Sequence, residues 1–132
     1  MPPAPKKILV VDDEPDAVQG VAAMLEAGGY TVVSAPNGDA GLAAARKEKP
    51  DLILMDVQMP GKNGFEIFNE LVQDEVLRRI PVCFLTGVGE KLGVRFSAAD
   101  VRSYYGVEPA GYLEKPVESD RLLRRVGAIL GK

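Results

Sequence analysis

Two hydrophobic rhythms alternate along this chain. Short unbroken apolar runs, Ile8-Leu9-Val10-Val11, Leu52-Ile53-Leu54-Met55 and Val82-Cys83-Phe84-Leu85, have the length and uniform character of strands buried on both faces. Between them the apolar positions recur at helical spacing. Val18, Val21, Ala22 and Leu25 mark a helix over Pro15–Ala27, and Phe65, Phe68, Leu71 and Val72 mark another after the loop at residues 60–64. Pro15 suits a first helical turn, and Gly28-Gly29 a stop. Thr31–Ala35 predicts a second strand, Pro36-Asn37-Gly38 a turn, and residues 39–48 an Ala-rich helix that closes before Pro50. Pro81 opens the fourth strand and residues 111–113 form a short fifth. Ser119–Leu130 is the last helix, with Leu122, Leu123, Val126 and Leu130 on one face. Residues 1–6, with three prolines, predict a short mobile tail. Strands and helices in alternation with short connections imply a parallel sheet covered on both faces, because parallel crossovers need helices.

Composition narrows the chemistry. A chain of 132 residues matches one domain with a substantial core. Its 16 basic and 19 acidic residues leave a net charge of −3, with no electrostatic footprint for nucleic acid or an anionic membrane. The apolar runs fall far short of the ~18 residues that span a bilayer, and no signal peptide opens the chain. A cytoplasmic protein is expected. The single cysteine, Cys83, lies within an apolar run and reads as a small buried hydrophobe. There is no histidine, which excludes Ser-His-Asp triads, histidine general bases and His-ligated zinc.

What remains is carboxylate chemistry at the strand ends. Asp12 and Asp13 follow the first strand, Asp56 ends the third, Thr86 ends the fourth, and Lys115-Pro116 follows the fifth. In open α/β sheets the carboxyl ends of the strands form the ligand crevice. Carboxylates converging there repel one another unless a cation or proton holds them. Oxygen donors without histidine or thiol suit a hard cation such as Mg2+. Each residue also has a plainer reading: Asp12 or Asp13 as a cap for the next helix, Asp56 as a turn residue, Lys115 as a solvated charge.

Asp12/Asp13, Asp56, Thr86 and Lys115-Pro116, in that order, together with Met59-Pro60-Gly61, resemble the receiver domain of two-component response regulators, and the likeness spans residues 7–132. The resemblance implies a flavodoxin-like, doubly wound five-stranded sheet of order 2-1-3-4-5, which brings the first and third strands together at the switch point. It implies Mg2+ bound by Asp13, Asp56 and the backbone carbonyl of Gln58, with Asp12 acting through water. Asp56 would accept a phosphoryl group from a partner histidine kinase or phosphotransfer protein, Lys115 and Thr86 would contact the phosphoryl oxygens, and the bond before Pro116 would be cis. Thr86 and Tyr112 would form the switch that alters the face of the fourth helix, fifth strand and fifth helix, and with it contacts to a downstream protein. Such a domain is a switch, not a turnover enzyme, and exists as a monomer or as a dimer linked to phosphorylation.

The stretch between Thr86 and Lys115 departs from the family by being longer and glycine-rich, so a flexible loop and a shifted fourth helix near residues 97–104 are expected over the segment 87–109. Gln58 and Gly87, beside the site, would tune the lifetime of the phosphoryl group. No output domain follows Lys132, and Met1 with its short tail favours a single-domain regulator over a fragment. Other classes fit less well. A haloacid-dehalogenase-type phosphatase wants a second acid two residues after the nucleophile, where this chain has Gln58. A nucleotide or flavin binder wants a phosphate-cradling first loop, where Asp12-Asp13-Glu14 would repel. The alternative that keeps the fold is a receiver that is not phosphorylated and serves as a protein-binding scaffold.

Overall fold

In the computed structural model of the protein, residues 5–57, 64–87 and 110–131 are described. Five parallel strands form one sheet: β1 (Lys7–Val11), β2 (Thr31–Ala35), β3 (Leu52–Asp56), β4 (Val82–Gly87) and β5 (Gly111–Lys115), in the order β2-β1-β3-β4-β5. Helices α1 (Pro15–Ala27), α2 (Gly38–Glu48) and α3 (Gly64–Val72) with a 3-10 turn (Leu77–Arg79) connect β1 to β4, and together with a C-terminal helix (Ser119–Leu130) they cover the two faces of the sheet.

Because successive side chains of a strand point to opposite faces, each apolar run feeds both layers. Leu9, Val11, Ile53, Met55, Val82 and Phe84 pack with Leu42 and Ala45 of α2 and with Phe65, Ile67, Phe68 and Leu71 of α3. The alternate residues Ile8, Val10, Leu52, Leu54, Cys83, Leu85 and Leu113 pack with Val21 and Leu25 of α1 and with Leu122 and Val126 of the C-terminal helix. Double-sided burial is why the central runs carry no polar alternation. At about 1.5–3 kcal/mol for each large apolar side chain fully removed from water, these two cores hold the strand ends in fixed positions.

Element boundaries follow local chemistry. Pro15 occupies the first turn of α1, and Gly29 adopts φ 93° just past its end. The side chain of Asn37 accepts a 2.8 Å hydrogen bond from the Ala40 amide and caps α2, so the turn expected there is also a helix start. The fifth strand extends to Lys115, two residues beyond its apolar part, because backbone pairing continues to Gly87↔Lys115 after the hydrophobic pattern stops. The expected helix near 97–104 and the loop around it lie outside the described residues, as do Gln58 and the Met59-Pro60-Gly61 run. Among the described residues no helix is long and apolar enough to cross a membrane.

Candidate phosphoacceptor site

Strand parity builds the site. Asp12 lies in the same alternation as Ile8 and Val10, Asp56 with Leu52 and Leu54, and Lys115 with Leu113, all on the layer of α1 and the C-terminal helix. The order β1-β3-β4-β5 and the parallel register bring these ends to one rim of the sheet. Asp12 and Asp56 are each only 2% exposed. Carboxylate oxygens of Asp12, Asp13 and Asp56 lie within 4.8 Å of one another, with Asp13 on the solvent side. At an effective dielectric of about 20, two such charges at that separation repel by roughly 3–4 kcal/mol.

Lys115 offsets part of this repulsion. Its Nζ donates to Asp12 Oδ2 at 2.9 Å and lies 3.3 Å from Asp56 Oδ1 and 3.8 Å from Glu14 Oε1. Burial pulls the Lys115 pKa down, but the hydrogen bond to Asp12 and the charges of Asp56 and Asp12 outweigh it, and the net shift is upward. The ammonium is held charged among more carboxylate than it can neutralise. The Lys115–Pro116 peptide is cis.

Asp12 has two tasks at once. While Oδ2 meets Lys115, Oδ1 accepts the Glu14 amide at 3.0 Å, and no side chain caps α1 itself. The bond to Glu14 is a local turn ahead of α1, so Asp12 does not cap the helix as the plainer reading expects, and its second oxygen faces the acid rim. Beneath Asp56 the chain closes tightly: the Gly64 amide donates to Val57 O at 2.9 Å, and a Cβ on Gly64 would stand 2.6 Å from the Asp56 carbonyl oxygen. The sequence places Gly64 in a loop, whereas it opens α3, and the backbone contact that demands glycine there has no sequence signal of its own.

Thr86 is half-buried and lies one residue beyond Leu85, the register partner of Asp56, in the opposite alternation from Asp56 and Lys115. Tyr112, on the edge strand β5, stacks on Phe84 with ring centroids 5.7 Å apart and packs against the α2/α3 layer. A hollow of about 220 Å³ adjoins the site, with Asp12 and Lys115 at one end and Ala17, Gly20 and Met24 of α1 along its side. The described donor set is entirely oxygen and carries excess negative charge, which fits a hard divalent cation.

The chain matches the family model of the response regulator receiver domain over residues 8–127. It is 40% identical over 128 residues to the protein PilH of Pseudomonas aeruginosa, covering 94% of this chain and 97% of that one. It is 37% identical over 129 residues to the alkaline phosphatase synthesis transcriptional regulatory protein PhoP of Bacillus subtilis, of which it spans only about half, 48%. Among solved structures, the chemotaxis protein CheY4 of Vibrio cholerae superposes with a TM-score of 0.81 at 29% identity, covering 96% of this chain and all of that one. The fold and the acidic rim define a signalling module of the flavodoxin-like class. The chain belongs to the response regulator receiver domain family of two-component signalling.

Proposed function

We propose that Asp56 is a phosphoacceptor. Its carboxylate oxygen attacks the phosphorus of a phosphohistidine on a partner kinase or phosphotransfer protein; the P–N bond breaks, its electron pair stays on the imidazole nitrogen, and a mixed anhydride forms on Asp56. The observation that carries this reading is the convergence of three carboxylates within 4.8 Å, with the Lys115 ammonium 3.3 Å from Asp56.

Asp12, Asp13 and Asp56 are the residues that would hold Mg2+, joined by the Gln58 carbonyl. Bound there, the ion supplies positive charge that lowers the repulsion between the Asp56 carboxylate and the incoming phosphoryl group. Lys115, positioned by Asp12, follows the negative charge onto the phosphoryl oxygens as a point charge. Thr86 donates its hydroxyl to the same group, and the shift of Thr86 frees space for Tyr112 to move relative to Phe84, altering the protein-binding face around β5. Tyr112→Ala should then leave phosphorylation intact but uncouple partner binding from it; binding that stays phosphorylation-dependent in Tyr112→Ala would sink the coupling. The protein promotes its own phosphorylation and acts as a switch in the cytoplasm.

The test is intact-mass analysis after incubation with acetyl phosphate, with and without Mg2+, on the wild type and Asp56→Ala. A single Mg2+-dependent phosphoryl adduct, absent from Asp56→Ala, is expected. A folded protein that takes up no phosphoryl group would replace this reading with that of a binding scaffold.

A further inference from the structure

At the amino ends of β3 and β4, opposite the acid rim, lies an apolar hollow of about 300 Å³. Its floor is Pro50, Leu77 and Ile80, and its lip is Val76. Val76 is 63% exposed, the one large hydrophobic side chain so exposed among the described residues. Arg46, in the last turn of α2, and Lys49, just beyond it, frame one side.

Two features make this more than a surface dimple. Lys49 sits in the left-handed conformation, φ 48°, where glycine is free of steric cost and a lysine is not. The chain thus keeps an ammonium at the hollow against its local backbone preference. The only acid lining the hollow, Asp74, anchors the 3-10 turn: its Oδ1 accepts the amides of Val76 at 2.8 Å and Leu77 at 3.0 Å, and these bonds, with a smaller contribution from the charge of Arg46, hold its carboxyl below the ordinary range. Among the described residues neither Arg46 nor Lys49 makes an ion pair. Glu75 is exposed beside Val76, and so are Arg78 and Arg79 nearby, so in a chain of net charge −3 the cations Arg46, Lys49, Arg78 and Arg79 outnumber Asp74 and Glu75 at this corner.

We propose that this hollow docks an acidic segment of a partner protein, one apolar side chain entering beside Val76, Leu77 and Ile80 while an adjacent carboxylate meets Arg46 and Lys49. The volume is at the low end of the ~300–1,000 Å³ of small-molecule pockets and suits a side chain better than a cofactor. Asp56 ends β3, whose residues are wholly buried, and the six residue steps from Pro50 of the hollow, at about 3.3 Å each, place it roughly 20 Å away. A partner held here leaves the acid rim open, and the docking does not depend on whether Asp56 accepts phosphate.

The test is 1H–15N NMR of the 15N-labelled full chain titrated with 4-phenylbutyrate, a minimal probe joining an apolar ring to a carboxylate. Saturable shifts centred on Lys49, Val76, Leu77 and Ile80 are expected. Arg46→Glu and Val76→Asp should weaken the probe about tenfold; both positions are exposed, so the fold should persist. Lys49→Gly should raise the melting temperature and yet weaken binding, which a purely structural lysine would not do. Shifts absent or centred elsewhere, or an equal response to 4-phenylbutylamine, would overturn the proposal. So would shifts of these amides with protein concentration alone, which would assign the hollow to a second copy of the chain.

Discussion

Asp13 is the solvent-side member of a carboxylate trio whose other two members are buried, and it adds charge without adding packing. Asp13→Asn should therefore stabilise the metal-free protein, by about 0.5–1 kcal/mol for a charge this exposed, while shrinking the extra stability that Mg2+ confers by binding only the folded state. Thermal melts in EDTA and in Mg2+ read both effects. Cys83 shows the opposite electrostatics. Burial pushes its thiol up from 9.0 to about 12, with Arg125 pulling weakly the other way. Above pH 9.0 the unfolded chain loses this proton while the folded chain keeps it, so the Cys83 contribution to stability falls as the pH rises from 9.0 towards about 12. Urea midpoints above and below pH 9.0 should fall less in Cys83→Ala than in the wild type. Asp12, Asp56 and Lys115 were legible in the sequence because each ends or follows a strand pattern. Lys49 and Asp74 were not: a left-handed lysine looks like any surface lysine, and an aspartate that holds a 3-10 turn looks like any loop acid.

Among the elements, the start of α3 lies hard against the end of β3: the Gly64 backbone meets the Asp56 carbonyl where a Cβ would stand 2.6 Å away. Backbone cannot yield as a flexible side-chain tip can. Gly64→Ala should cost about 1–3 kcal/mol by the overpacking range, and should slow phosphoryl uptake because the displaced end carries Asp56; urea denaturation and the intact-mass time course test these separately. The strands and the helical stripes were readable from periodicity, and α1 and the C-terminal helix keep their expected bounds. Periodicity reports side chains, however, and says nothing where backbone pairing alone carries an element. The last two residues of β5, Glu114 and Lys115, escaped it for that reason, and so did the 3-10 turn Leu77–Arg79.

For the whole molecule, the apolar runs imply a parallel sheet with two covered faces but not its strand order. Every permutation of equally apolar strands buries similar area, so the order 2-1-3-4-5 came from the family resemblance. The two cores are cross-linked by the sheet they share. Phe84, fully buried, packs its ring 4.8 Å from Phe65, 5.5 Å from Phe68 and 5.7 Å from Tyr112. Phe84→Ala should cost about 3–5 kcal/mol, a large part of the ~5–15 kcal/mol typical of a domain. It should lower the urea midpoint in one transition, followed alike by fluorescence and circular dichroism.

The Lys115–Asp12 hydrogen bond joins residues 103 positions apart, and Asp56 lies between them in the chain. A growing polypeptide on the ribosome therefore carries its acidic residues long before it carries the ammonium that restrains them. Until the fifth strand has emerged and docked at the sheet edge, Asp12 and Asp56 lack their internal counter-charge. The acid rim is complete only once the strand that carries Lys115 is in place, and a copy truncated before β5 would keep its carboxylates without that restraint.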